Sequence, residues 1–93
     1  MKTEDAAQAA REIFSVEPII SHVKAHFLTV RDETNYIDLT IFFDGERPEG
    51  DRIVIPLLMK FMDRVAEVPV EFITLQTSRL ADSHSGILVY SRA

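Results

Sequence analysis

Hydrophobic and polar positions alternate most clearly over residues 35–46, NYIDLTIFFDGE, where Ile37, Leu39, Ile41 and Phe43 fall on one side of an extended chain. The other side, with Tyr36, Asp38, Thr40 and Phe42, is mixed rather than polar. Upstream, HVKAHFLTVR at 22–31 is rich in β-branched and aromatic residues, so the two stretches read as a β-hairpin with its turn near Asp32–Asn35. Setting Arg31 opposite Tyr36 places Leu28 and Val30 with the apolar set, and Ala25, Phe27 and Thr29 with the mixed one.

Before the hairpin, Ala6, Ala10, Ile13 and Phe14 recur at helical spacing. Thr3 is placed to cap this helix, Glu4 and Asp5 suit the positive end of its dipole, and Pro18 ends it. After the hairpin, GERPEGD has the composition of a surface loop. The segment RIVI, 52–55, is ambiguous. As a short strand or extended entry it leaves Pro56 in the first turn of the next helix, where a missing N–H is harmless. As part of a longer helix capped by Asp51 it puts Pro56 in the interior, at about 3 kcal/mol. The short strand is therefore the preferred reading. Leu57, Leu58, Phe61, Met62 and Val65 form a helical stripe, VPVEFITLQT reads as a strand with Pro69 near its start, SRLADSHS as a polar connector, and GILVYS as a final strand. The expectation is one α+β domain spanning 1–93, ordered α-β-β-(β)-α-β-β, with a small antiparallel sheet carrying two helices on one face.

Composition narrows the function classes. The chain has 93 residues, 46% hydrophobic and 27% charged, which suits one modest globular core. Ten basic against 15 acidic residues give a net charge of −5, and the basic residues are scattered, so a nucleic-acid partner is not expected. There is no cysteine, which excludes a disulfide framework, a zinc–thiolate site and a thiol nucleophile. The first residues carry acid where a signal peptide carries positive charge, and no apolar run reaches the ~18 residues of a membrane span. A cytoplasmic protein with no membrane partner is the expectation.

Candidate chemistry is sparse. His22 and His26, on one predicted strand, lie about 13 Å apart, too far for one metal ion without other ligands, and His84 falls in the polar connector. Asp38 and Asp44 are separated by about 20 Å along a straight strand, so a shared acid–base or two-metal site is not expected. Asp38 is expected to pair with Arg31 across the hairpin and Asp44 to begin a turn. With three glycines the chain has no phosphate loop, and Ser83-His84-Ser85 is adjacency without triad geometry.

HFLTVR at 26–31, followed by YIDLTIFFD, resembles the hairpin of the cytoplasmic domain of cation diffusion facilitators, which implies metal responsiveness centred on His26. Thr40 stands where that family usually has a histidine, and Thr77 and Ser78 lie near the place of its closing histidine. NYIDLTIFFD, VPVEFITL and GILVYSR are similar in order to strands of minimal nucleotidyltransferases of the polymerase-beta type. There Asp38 would match the second catalytic aspartate, while Tyr36 replaces the first and the glycine-serine triphosphate motif has no counterpart, implying an inactive descendant.

The leading expectation is a noncatalytic protein-interaction module, without cofactor or resident metal, that forms a homodimer through the mixed sheet face at Phe27, Tyr36, Thr40 and Phe42. The alternative is a ligand- or metal-responsive domain using His26, Arg31 and Asp38. Its small-molecule ligand is not specified by the sequence.

Overall fold

The computed structural model describes residues 1–83 and 86–92. Helix α1 (Thr3–Phe14) leads into strands β1 (Ile20–Val30) and β2 (Glu33–Phe43), then helix α2 (Arg47–Arg64) and strand β3 (Val70–Gln76). A 3₁₀ segment (Thr77–Asp82) precedes strand β4 (Ile87–Ser91). The strands form one sheet in the order β3-β2-β1-β4. His84 lies outside the described residues.

The α+β class and the two main helices agree with the sequence pattern, but the sheet is mixed instead of antiparallel. β1 is antiparallel to β2 and β4, whereas β2 and β3 run parallel, with Ile37 beside Val70 and Phe43 beside Gln76. The cause lies at 52–55, which is helix and not strand. Gly50, Val54, Leu57, Leu58 and Phe61 are all buried, so the apolar stripe runs unbroken through the segment. A helix following β2 carries the chain back to β2's starting end, and β3 must then run parallel to it. Pro48 opens α2 within its first turn, while Pro56 does sit inside the helix. Pro56 and Arg52 are exposed, so water can take the bond that the Arg52 carbonyl loses.

Both helices cover one face of the sheet. Ala6, Ala10 and Phe14 from α1 meet Leu58 and Phe61 from α2, with Phe14 and Phe61 tilted at 37° and 6.0 Å between ring centroids. Val23, Ala25, Ile37, Leu39, Ile41 and Phe43 form the floor of this core. Thr3 does not cap α1. The capping position is Lys2, with no side-chain bond, and the Thr3 hydroxyl instead meets that of Thr34 at 3.0 Å, tying the helix start to β2.

The hairpin turn is tighter than the pattern indicates. Arg31 (φ 54°) and Asp32 (φ 66°) form a two-residue connection with both residues left-handed. That geometry matches the right-handed twist of the flanking strands and is tolerated by glycine, asparagine and aspartate, but is unfavourable for Arg31. Replacing Arg31-Asp32 by Asn-Gly is therefore expected to raise stability by about 0.5–1 kcal/mol. Thermal unfolding of the R31N/D32G variant checks this, and a lowered midpoint would contradict the turn geometry. The turn alone would set Phe27 opposite Tyr36, but a one-residue irregularity between Leu28 and Thr29 shifts the register, so Leu28, not Arg31, stands opposite Tyr36. The displacement is an odd number of residues, so it exchanges the two faces of β1.

Candidate functional site

The face turned away from the helices is built in rows across the sheet. At the hairpin end Leu28 stands beside Tyr36. Next, His26 of β1, Asp38 of β2 and Glu71 of β3 lie side by side. The third row holds Leu88 of β4, Lys24, Thr40 and Ile73, and the fourth holds His22, Phe42 and Leu75. Leu28 is 55% exposed, Ile73 49% and Leu88 53%, so the face mixes open apolar side chains with charges.

Phe42 is fully buried although it points away from the helices and lies outside the cluster beneath them. Its cover is the chain leaving β3. The Thr77 hydroxyl lies 2.7 Å from that of Ser21 and donates to Asp44 Oδ1 at 2.7 Å, while Lys24 Nζ donates to the Ser83 carbonyl at 3.0 Å. Residues 77–83 thus cross the open face at its fourth row. Asp44 also accepts from Arg92 Nη1 at 2.6 Å, and Arg92 reaches the Pro18 carbonyl, also at 2.6 Å. The Arg92 bond first, and the Thr77 bond second, hold the Asp44 carboxyl below its ordinary pKa.

The sequence-derived interface residues therefore separate. Tyr36 and Thr40 lie on the open face, Phe42 lies on it but beneath residues 77–83, and Phe27 packs against the core on the opposite face, beside Ile37. Of the ligand candidates, His26 and Asp38 are direct cross-strand neighbours. Arg31, at the hairpin turn, is about 16 Å along the strand from His26, so the expected Arg31–Asp38 pairing does not form.

Electrostatics ties the first two rows together. The Glu71 carboxylate beside the Tyr36 phenol, with desolvation and the charge of Asp38, pushes the phenol's pKa up to about 12. The phenol stays neutral at neutral pH. Lys24, His26, Asp38, Thr40 and Ile73 line a depression of about 100 Å³, well below the roughly 300 Å³ at which small-molecule pockets begin. A shallower hollow of about 280 Å³ lies at Phe27, Thr29 and Ile87. Among the described residues, no three His, Asp or Glu side chains gather closely enough to hold a metal ion. No described helix is long and apolar enough to cross a membrane.

Lys24, Leu28, Glu71, Ile73, Leu75 and Leu88 are members of this face that the sequence pattern does not single out. Alternation in VEFITLQ carried the signal for Glu71 and Ile73, while Leu28 was assigned to the covered face by the slipped register. Comparison with protein-family models, curated proteins and solved structures gave no match to the chain.

Proposed function

We propose that this protein is a small noncatalytic interaction module that self-associates through the open sheet face around Leu28, Tyr36, Thr40, Ile73 and Leu88. The observation that carries the reading is the exposure of Leu28, Ile73 and Leu88 on a face that also carries Lys24, His26, Asp38 and Glu71. A second copy is the favoured occupant because the charges are sorted across the sheet. Lys24 and His26 stand on β1, and Asp38 and Glu71 on β2 and β3, so the face offers both members of a charge-complementary contact. The small chain favours the same answer, since a domain of this length buries only about 60–65% of its unfolded surface by itself.

The test is the Leu28→Ser/Ile73→Ser double variant. Both side chains are half-exposed in the monomer, so its stability should change by no more than about 0.5 kcal/mol per site. The dissociation constant of the dimer should rise at least about tenfold, equivalent to about 1.4 kcal/mol. Equal self-association in variant and wild type would contradict the proposal. The alternative, a metal- or ligand-responsive domain, is supported by the adjacency of His26 and Asp38. A thermal shift with Zn²⁺ or Mg-nucleotide at unchanged mass would favour it.

A further inference from the structure

We propose that residues 77–83 act as a releasable strap that occupies one end of the association face and limits how much of it a second copy can reach. The inference rests on the reading of that face as a self-association surface and adds its regulation.

The strap covers a fully buried phenylalanine, yet the 3₁₀ segment that forms most of it buries none of its own residues. Its hold is therefore mainly polar. Thr77 bonds to Ser21 and Asp44, Gln76 Nε2 donates to the Gly45 carbonyl at 2.9 Å, and Lys24 holds the Ser83 carbonyl. Segments with few buried apolar contacts and solvent-reachable hydrogen bonds open at lower free energy than the core they cover. A second feature weakens closure: His22, in the row beneath the strap, has a buried Nδ1 with no hydrogen-bond partner among the described residues. A buried polar atom left unpaired favours any opening that gives it water.

Release would change the face in kind. Phe42 and Leu75, adjacent in register, would join Ile73 one row away, extending the apolar strip along β2 and β3. Lys24 would lose its carbonyl partner and become free to meet a carboxylate of the other copy. The closed strap thus both hides an aromatic side chain and occupies the lysine on this face.

The experiment uses the full chain and two variants, Lys24→Met and Thr77→Val, which keep side-chain bulk and remove the tethers. Hydrogen exchange followed by mass spectrometry reads the strap, and sedimentation equilibrium reads association. In the wild type, amides of 77–83 should exchange at least about tenfold faster than those of β1 and β2. Each variant should speed strap exchange by a further factor of about five to ten, as expected for loss of one or two hydrogen bonds, and Thr77→Val, which leaves Lys24 in place for the second copy, should tighten self-association. Strap amides that exchange only as slowly as the central strands would overturn the strap. Faster strap exchange in Thr77→Val with unchanged dimer affinity would overturn its regulatory role while leaving the association reading intact. Faster exchange with every form strictly monomeric would instead overturn the association reading on which that role depends.

Discussion

Phe42→Ala is expected to lower the unfolding free energy by about 3 kcal/mol in urea titration. Its ring is fully buried on the central strand β2, so truncation loses both the transfer free energy of the ring and the contacts around the space left behind. Buried phenylalanines cost about 3–5 kcal/mol on such truncation, and the lower end applies because residues 77–83 can settle partly into the space. The result separates two roles for this residue. A ring waiting for a partner would leave the urea midpoint of the monomer unchanged and alter only association. A ring already covered by its own chain lowers the midpoint at every protein concentration.

The second large effect is at Gly50. Alanine is the better helix former by about 1 kcal/mol, and position 50 lies within α2, so propensity alone predicts stabilisation. Packing reverses the sign. A Cβ at this position would lie 2.1 Å from both Cδ1 and Cε1 of Phe43, whose ring is fully buried and forms part of the core floor. Arg47 closes over the same ring, with its guanidinium carbon 5.7 Å from the centroid. A buried ring covered in this way can shift only by displacing its neighbours, and overpacking of this kind costs about 1–3 kcal/mol beyond the propensity gain. Gly50→Ala is therefore expected to destabilise by about 2 kcal/mol. Phe43→Leu should recover part of that loss in the double variant, giving a non-zero coupling energy between the sites. A stabilised Gly50→Ala would show that α2 does not pack against β2 in this way.

What the sequence made legible was the identity of most elements and the apolar side of β2. Ile37, Leu39, Ile41 and Phe43 all point to the helices, as their alternation requires. The stripe from Leu57 to Val65 is likewise buried, with Met62 partly so. Two local ambiguities hid the rest. Pro56 argues against a helix on local grounds, but Gly50 and Val54 continue the buried stripe, and tertiary packing outweighs the cost at an exposed proline. That single segment decides whether β3 runs parallel or antiparallel to β2. The other ambiguity was the turn. Arg31 and Asp32 carry no glycine signal, so nothing local pins a two-residue connection, and the one-residue irregularity between Leu28 and Thr29 beyond it is what exchanges Phe27 with Leu28 between the faces. The cover over Phe42 was illegible for another reason: it is made by a polar connector whose path over the sheet is set by long-range bonds such as Lys24 to Ser83.

The charge arrangement of the open face follows from those same long-range pairings. Asp38 meets His26 instead of Arg31, and Glu71 reaches Tyr36 only because β3 is parallel and in register with β2. An antiparallel β3 would have set a different residue beside Asp38, so the mixed sheet and the candidate site are one consequence of the same helix.

Sedimentation equilibrium of the wild-type chain over a concentration series reaching tens of micromolar tests the central claim most directly. The open face with Leu28, Ile73 and Leu88 predicts a weight-average mass that climbs with concentration toward twice that of the chain. A mass fixed at one chain throughout the series would contradict it.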